Sequence, residues 1–346
     1  MDFRVSSARN EVSIDIESAV GCILNAQRQS GEIPWFVGGK TDPWDHVEAA
    51  MGLSVGGHLE AAKAAYEWLA DIQLENGSWY ASYRKGVPLD TTQDANMSAY
   101  IAVGLLHYYL ISKDIHFLSR MWNTIKRAIG FTLSLQADGG EIFWAISPQG
   151  LIDRMALLTG SCSIYMSLKC ALAIAHFLNR DMPSWKTALD KLGDVIRQKP
   201  HRFNMTKSRY AMDWFYPVLC GALTGQESHE RINRYWKRFV VNTQGVRCVS
   251  DRPWVTIAET AELSLALASM GNHALAHITL NWIFDRRYED GSFWCGFTIP
   301  DGTIWPEDKL TWTNAAVLLA ADALYNLTPA YRLFHHSFWS TNFRCL

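Results

Sequence analysis

The stretch QLENGSWY (73–80) recurs in related forms along the chain, and this recurrence determines the fold. Looser copies are QRQSGEIPW (27–35), QADGGEIFW (136–144) and RRYEDGSFW (286–294). In each copy a helix-like segment ends in a polar residue and a glycine, and an aromatic residue follows. Gly31 and Gly77 are 46 residues apart, as are Gly245 and Gly291. With Gly139 as the glycine of the third copy, the repeat predicts six units of roughly 50 residues each.

Each unit contains two segments with apolar residues at helical spacing. The twelve predicted helices span 15–28, 45–55, 59–73, 94–111, 115–135, 161–179, 184–198, 208–222, 228–241, 256–270, 273–286 and 312–326. Odd-numbered helices carry charges on one face, as expected of an outer layer, whereas even-numbered helices are more uniformly apolar or small. The pattern predicts an all-α fold in which residues 1–346 form one domain, an (α/α)6 toroid with inner and outer rings of six helices.

The connections between these helices are of two kinds. Connections from an inner helix to the next outer helix are short, whereas those from outer to inner are long. The long connections span 30–44, 76–93, 137–160, 199–207, 243–255 and 288–311. Because successive helices alternate in direction, all six long loops emerge at one end of the toroid. Long loops on a rigid scaffold are where binding and catalysis concentrate, so we expect the functional site at that end.

The composition excludes several classes of protein. Lys+Arg 32 against Asp+Glu 34 gives a net charge of -2, without the basic excess that nucleic-acid binding needs. The sequence contains no run of 18 apolar residues, so it predicts no membrane span. Charged residues interrupt the N-terminal segment where a signal peptide needs an apolar core. The seven cysteines lack CxxC spacing, and the histidines are scattered. We therefore expect a cytoplasmic protein without a metal site or a cofactor.

Tryptophan is abundant, and nine of the 15 Trp residues lie in or next to the long loops. Aromatic faces can stack on the C–H faces of pyranose rings, while neighbouring polar groups pair with the hydroxyls. A funnel lined in this way is typical of an oligosaccharide site. The candidate substrate-binding residues are Trp35, Trp44, Trp79, Trp144, Arg252, Trp254, Glu259, Trp305 and Trp312. The alternative for any one of these tryptophans is packing between neighbouring repeats.

Carboxylates also occur at the starts of the predicted inner helices. Asp94, Asp213 and Glu259 lie inside apolar helical runs, where a capping role is harder to argue than it is for Asp90 or Asp251. Carboxylates among apolar neighbours acquire the perturbed pKa values that acid and base catalysis need. Asp94 and Asp213 are therefore candidate catalytic residues.

The QxxxGxW pattern of 73–79 resembles the repeats of the terpenoid cyclase and protein prenyltransferase toroids. The chain as a whole also looks like bacterial toroid proteins labelled prenyltransferase or squalene-cyclase-like, in segments such as 33–53 and 248–263. The chemistry of those families does not transfer with the resemblance. The acidic DxDD motif of a class II cyclase is missing, and no set of Asp, Cys and His resembles the zinc ligands of a prenyltransferase.

Three segments resemble the glucoamylase-like (α/α)6 glycosidases. WPEDKLTWTNAAVLLAADAL (305–324) is similar to their last inner helix, which implies Glu307 as the catalytic base, and WDHVEAAMGL (44–53) is similar to their first, which implies Asp45 on sugar hydroxyls. The central stretch from 90 to 144 follows them closely but places Ala145 where their acid follows the tryptophan. The general acid is therefore open, and the candidates are Glu141, Asp153, Asp94 and Asp213.

The favoured hypothesis is a carbohydrate-active enzyme that hydrolyses a glycosidic bond with paired carboxylates. An inverting mechanism needs a protonated acid and a carboxylate base roughly 6.5–9.5 Å apart. One alternative is an isoprenoid-handling toroid, which predicts an apolar funnel floor. A second is a non-catalytic saccharide-binding protein, which is consistent with Ala145.

Overall fold

The computed structural model of the protein describes residues 15–340; Cys345 and the N-terminal segment up to residue 14 lie outside this range. The described residues form fifteen α-helices and nine short β-strands. The helices are α1 (Ile16–Ala26), α2 (Pro43–Val55), α3 (Leu59–Asp71), α4 (Ala95–Ala99), α5 (Ile101–Ser112), α6 (Ile115–Arg120), α7 (Trp122–Ser134), α8 (Leu158–Phe177), α9 (Pro183–Gln198), α10 (Ala211–Leu219), α11 (Gly225–Phe239), α12 (Ile257–Ser269), α13 (His273–Asn281), α14 (Thr311–Tyr325) and α15 (His336–Ser340). The strands are β1 (Ser82–Arg84), β2 (Val87–Asp90), β3 (Gln93–Asp94), β4 (Ala145–Ile146), β5 (Ile152–Asp153), β6 (Val240–Val241), β7 (Gly245–Arg247), β8 (Trp254–Thr256) and β9 (Gly296–Thr298).

The helices that the sequence predicts to be the inner ring contact one another in a closed cycle. α2 packs against α5, α5 against α8, α8 against α10, α10 against α12, α12 against α14, and α14 returns to α2. These helices are deeply buried, and every residue of α12 is buried. Helices such as α9 and α11 pack on the outside of this cycle, and α11 buries only Ser228, Ile232 and Phe239. The alternation of deeply buried and one-sided helices therefore follows the sequence pattern.

The repeat motif holds neighbouring outer helices together through its glutamine. The Gln73 side-chain amide donates hydrogen bonds of 2.9 Å to the carbonyl oxygens of Gly77 and of Thr124 in α7. The Gln27 side-chain amide likewise donates to the carbonyl oxygens of Gly31, at 3.2 Å, and of Ala61 in α3, at 2.9 Å. The motif thus ties the end of one outer helix to the next outer helix, which explains why it recurs at the spacing of the repeats.

In the third copy the equivalent glycine is Gly140, so its assignment to Gly139 is wrong. Gln136 donates to the carbonyl oxygen of Gly140 and to that of Ala188 in α9, both at 3.0 Å. Gly140 also has a positive φ, of +101°, as do Gly31 at +94° and Gly77 at +93°. Glycine is required there because other residues adopt this conformation only with strain.

The prediction of an all-α fold is wrong in one respect, because the long loops contain short strands. They pair into three antiparallel sheets of two, three and four strands. Strands of two to four residues are too short to show the alternation that identifies a strand in sequence. In the middle sheet Ala145 lies opposite Asp94 on one side and Asp153 on the other. These sheets shape the loops around the N-termini of the inner helices.

Among the described residues, one helix is long and apolar enough by composition to cross a membrane. It is α8, and 67% of its most apolar window is buried inside the protein. Because α8 packs against α5, α9 and α10, its apolar composition is that of a core helix. The six cysteines of the described part of the chain are free thiols.

Candidate active site

Three carboxylates follow one another along the start of α2. Asp42 caps this helix and accepts a 2.9 Å hydrogen bond from the backbone N–H of Asp45, and Glu48 follows one turn later. The indole N–H of Trp35 also donates to the Asp42 carboxylate. Asp42 and Glu48 are buried, whereas Asp45 is partly exposed. The three-residue spacing therefore brings three acids to one side of an inner helix.

Two further carboxylates, Glu259 and Glu262, lie one turn apart at the start of α12, and both are buried. The charge of Glu262 acts on Asp45, and that of Glu259 acts on Glu48, so the carboxyl groups of the two helices are close enough to interact electrostatically. We call Asp42, Asp45, Glu48, Glu259 and Glu262 the acidic cluster. One side-chain oxygen of Glu259 is buried and has no hydrogen-bond partner.

Asp45, Glu48 and Glu262 have raised pKa values, so these carboxyl groups retain protons at pH values where free carboxyl groups have lost them. Burial is the main cause of the raised pKa of Asp45, and the charges of Asp42, Glu48 and Glu262 raise it further, well above its ordinary value. Burial and the charge of Glu48 likewise raise the pKa of Glu262. The pKa of Glu48 rises to about 8, again mainly through burial. The site therefore contains carboxyl groups that can act as acids near neutral pH.

Aromatic side chains form one wall beside the acidic cluster. The ring of Trp44 lies between Tyr100 and Tyr216, at centroid distances of 5.6 Å and 5.9 Å. The Tyr216 hydroxyl donates a hydrogen bond to Glu262. Three inner segments, α2, the α4–α5 junction and α10, thus contribute aromatic rings next to the carboxylates of α2 and α12.

A cavity of about 160 Å³ adjoins this aromatic wall and shares Trp44 with it. Asp94 lines the cavity, and burial raises the pKa of its carboxyl to about 6, with a smaller contribution from the charge of Asp42. The influence of Asp42 places Asp94 close to the acidic cluster. The remaining lining residues are Asn96, Met97, Ile142, Trp144, Leu157, Thr159, Gly160, Ser161 and Ile164.

The structure brings together part of the set of residues proposed from sequence. Asp45 and Glu259 lie in the acidic cluster, and Trp35 bonds Asp42. Trp44, Asp94 and Trp144 line the adjoining cavity. These six residues therefore converge on one region at the N-termini of the inner helices.

The remaining proposed residues have other surroundings. Trp79 is in the core, where its indole N–H donates to the Leu69 carbonyl. Asp213 accepts hydrogen bonds of 3.2 Å and 2.6 Å from the backbone N–H and the hydroxyl of Thr159, and so anchors the start of α8. Arg252 and Glu307 are exposed on the long loops.

Three more proposed tryptophans lie near the starts of α12 and α14. Trp254 and Trp305 pack edge to face at 5.2 Å, and the indole N–H of Trp254 donates to the Trp305 carbonyl. Trp305 remains 59% exposed, so a sugar ring could stack on it. Trp312, in the first turn of α14, is partly buried and has a buried indole nitrogen without a partner.

The structure also shows the surroundings of the other residues proposed as the general acid. Glu141 is ion-paired with Arg202 at 3.3 Å, and Asp153 is exposed. Asp94 accepts the Met97 backbone N–H at 2.9 Å and caps α4, so the argument that Asp94 does not suit a capping role is wrong. Its capping bond and its place in the cavity are compatible, because a carboxylate has a second oxygen.

Sequence reasoning missed several residues of the site. Glu262 went unnoticed because it lies one turn inside a helix that otherwise appeared apolar. Its separation of three residues from Glu259 repeats the spacing of Asp42 and Asp45, and this signal could have identified it. Tyr100, Tyr216 and Asn96 had no motif of their own. Within residues 15–340, no group of three or more His, Cys, Asp or Glu side chains could hold a metal ion.

The carboxyl groups of the acidic cluster argue against the isoprenoid-handling alternative. That hypothesis requires an apolar funnel floor, whereas the acidic cluster places five carboxylates there. Burying several carboxyl groups together costs folding free energy, and such groups are concentrated at functional sites.

Comparison with known proteins identifies a relative over most of the chain. The chain is 49% identical over 312 residues to the MMP endo-(1,4)-3-O-methyl-alpha-D-mannosidase of Mycolicibacterium hassiacum, covering 90% of this chain and 86% of the relative. No family model matches the chain.

Solved structures show the same fold at much lower identity. A wild-type glycosidase superposes with a TM-score of 0.69 at 14% identity, covering 90% of this chain and 96% of that one. The GH63 mannosylglycerate hydrolase of Thermus thermophilus, in complex with glucose, gives 0.70 at 10% identity over 88% and 98% of the two chains. The fold is thus that of known glycosidases, as the glucoamylase-like resemblance implies. The resemblance to prenyltransferase and cyclase toroids receives no support from these matches.

Proposed function

The chain belongs to the glycoside hydrolase family of the Mycolicibacterium hassiacum mannosidase, and from this premise we propose that it is an endo-α-mannosidase. Its substrate is a chain of (1,4)-linked 3-O-methyl-α-D-mannose, which it cleaves at internal linkages. The fold is an (α/α)6 toroid, since the inner helices form a closed cycle and long loops lie at their N-termini. The substrate binds across the mouth of that toroid.

Asp45 is the general acid in this proposal. It is the most accessible member of the acidic cluster, and its carboxyl is kept protonated by burial and by the charge of Asp42. A protonated carboxyl that substrate can reach is what protonation of the leaving glycosidic oxygen requires. The placement of the partly exposed Asp45 carboxyl among four buried carboxylates from two inner helices is the observation that carries the proposal.

Glu259 is the base. Its buried, unpartnered oxygen is free to accept a proton from water, whereas Glu262 already receives the Tyr216 hydroxyl. Asp45 and Glu259 belong to α2 and α12, and α14 packs against both of these helices in the inner cycle. We propose that the substrate and a water molecule lie between the two carboxyl groups and that hydrolysis inverts the anomeric configuration. Glu307, the base implied by the glucoamylase-like resemblance, is the competing assignment.

The proposal is tested with (1,4)-linked 3-O-methyl-α-D-mannose oligosaccharides as substrates. Mass spectrometry at early times should show fragments of intermediate length, because an endo-acting enzyme cleaves internal bonds. Proton NMR of the first product should show the β-anomer. Release of single sugars from one end would contradict endo action.

The matched variants are Asp45→Asn and Asp153→Asn. Asp45→Asn should lower kcat by roughly 10²–10⁴-fold, because it removes a positioned acid. Asp153→Asn changes an exposed carboxylate outside the acidic cluster and should retain wild-type turnover. Wild-type activity in Asp45→Asn, with an unchanged Tm, would contradict the assignment.

A further inference from the structure

Large apolar side chains that face solvent are concentrated in the loops that lead into the inner helices. Of the nine such side chains in residues 15–340, eight lie in these loops, and the exception is Ile278 of α13. A single exposed apolar side chain is ordinary on a protein surface, but the restriction of eight to one set of loops is not. The N-terminal ends of the inner helices, where the candidate active site lies, therefore also carry an apolar surface.

The β1–β2 hairpin presents apolar and basic side chains together. Arg84 pairs with Val87 across a two-residue turn. The turn residues Lys85 and Gly86 have positive φ values, of +55° and +73°, as the tight turns of β-hairpins do. Val87 is 65% exposed, and Leu89 is exposed on the same face of the strand. Because Arg84 and Lys85 are exposed as well, this tip combines two cations with two apolar side chains.

The next two loops along the chain have the same composition. In the β4–β5 hairpin Leu151 is 69% exposed, and the exposed Arg154 follows. In the loop before α10, Met205 is 62% exposed, and the Lys207 ammonium lies 5.2 Å from the ring centroid of the exposed Tyr210. These two loops precede α8 and α10, which are neighbours in the inner cycle. Exposed apolar side chains thus occur beside cations on three successive loops.

A basic groove continues this surface toward the start of α12. Its cations are Lys237, Arg238, Arg247 and Arg252. None of these four forms an ion pair with a carboxylate of residues 15–340. The acid of the groove, Asp251, is paired with Arg209 at 2.8 Å. A β-bridge between Tyr210 and Val249 joins the groove to the loop before α10.

The charge of this surface is positive, although the chain as a whole has a net charge of -2. Against the four cations of the three loop tips and the four of the groove, the tips carry two exposed acids, Asp90 and Asp153. An anionic bilayer offers a counterpart to both features, because its headgroups attract cations while its interface takes up apolar side chains. We propose that the loops before α4, α8, α10 and α12 form a docking face for an anionic membrane surface.

A second copy of the chain fits this docking face less well than a bilayer does. A two-fold contact places the same surface on both subunits, so the cations of one face would meet those of the other. The loop before α14 lies outside the docking face, because it exposes Glu289, Glu307 and Asp308. Docking in this orientation leaves the side of the site next to α14 and α2 open to solvent, so a saccharide can still enter there. The proposal does not depend on which glycoside the protein hydrolyses.

The experiment measures sedimentation of the protein with lipid vesicles. Vesicles of equal parts phosphatidylglycerol and phosphatidylcholine should bind the wild type, and vesicles of phosphatidylcholine alone should bind it much more weakly. Added salt should weaken the binding, because ions screen exposed charges. Replacing Arg84 and Lys85 together by Gln should lower the partition coefficient roughly 25-fold, at about fivefold for each cation lost. Leu151→Ser should lower it by roughly tenfold.

The matched controls are Lys126→Gln and Ile278→Ser, which change an exposed cation of α7 and the exposed apolar residue of α13. Both should bind the anionic vesicles as the wild type does. All four variants should keep the wild-type Tm and the wild-type hydrolysis of soluble oligosaccharides, because they change exposed residues outside the acidic cluster.

Three results would overturn the docking face. The first is a wild type that binds neither kind of vesicle, and the second is an equal loss of binding in the controls. The third is a raised KM for soluble oligosaccharides in Leu151→Ser with unchanged vesicle binding, which would assign this loop to the saccharide. A dimer that Leu151→Ser dissociates, seen by analytical ultracentrifugation without any vesicle binding, would assign the surface to a second copy instead.

Discussion

Asp42 accepts a 2.9 Å hydrogen bond from the backbone N–H of Asp45, and its negative charge raises the pKa of the Asp45 carboxyl. One residue thus caps the helix that carries the proposed acid and also helps to keep that acid protonated. The indole N–H of Trp35 also donates a hydrogen bond to the Asp42 carboxylate.

Replacing Asp42 by Asn should change the pH dependence of hydrolysis. Loss of the Asp42 charge lowers the pKa of Asp45, so the alkaline limb of the kcat/KM profile should move to lower pH, by roughly one unit or more. The profile is measured with the methylated oligosaccharide between pH 4 and 9. An unchanged alkaline limb, in a variant that still turns over, would show that Asp42 does not control the proton of Asp45.

The two candidate bases give opposite expectations for a pair of isosteric variants. Glu259→Gln should lower kcat by roughly 10²–10⁴-fold, because the unpartnered oxygen of a buried base is replaced. Glu307→Gln, on an exposed loop, should lower it less than roughly tenfold. Both rates are measured at saturating substrate and with matched Tm values. The reverse order would assign the base to Glu307, as the resemblance to the glucoamylase-like enzymes implies.

Much of the scaffold could be predicted from the sequence because its signals are local and repeated. The QxxxG element of 73–77 makes the same two hydrogen bonds wherever glutamine is kept, so its period reports directly on neighbouring outer helices. The exposure of α11 and the burial of α12 likewise follow from their charged and apolar compositions. The short strands could not be predicted, since pairs such as Asp94 and Ala145 depend on contacts between distant loops.

The site was predicted less completely because its members meet only through the tertiary fold. Asp45 and Glu259 could be singled out, since each is a carboxylate at the start of an inner helix. The position of Glu262 beside Tyr216 depends on how α10 packs on α12, and no local pattern specifies that contact. Trp79 was proposed as a substrate-binding residue but is buried in the core, because the sequence does not distinguish a tryptophan that lines a site from one that packs between helices.

The acidic cluster should make the folded state less stable as pH rises. Burial raises the pKa of Glu48 from its ordinary value of 4.5 to about 8, so the folded protein holds this proton more tightly than the unfolded chain. The resulting stabilisation is present below pH 4.5 and is lost as pH rises toward 8, by at most about 1.4 kcal/mol per pH unit for one group.

Glu48→Gln should therefore flatten the decline in the free energy of unfolding between pH 5 and pH 8, measured by urea denaturation. Glu67→Gln is the control, because Glu67 is an exposed side chain whose only ion pair, with Arg120, is at the surface. Parallel pH dependences for Glu48→Gln and the wild type would show that Glu48 ionises in the folded state without cost.

Gly77→Ala should destabilise the fold by about 2–4 kcal/mol, since it combines backbone strain with a steric clash. Gly77 has a φ of +93°, and a Cβ there would lie 2.2 Å from the carbonyl oxygen of Arg127 in α7. Gly130→Ala, in the exposed interior of the same helix, should instead be neutral or stabilise by up to about 1 kcal/mol. The free energies of unfolding of both variants are measured in urea. Equal stabilities of the two variants would mean that the close approach of Gly77 to the next outer helix does not contribute to stability. The expected difference would show that the motif sets the spacing of neighbouring repeats.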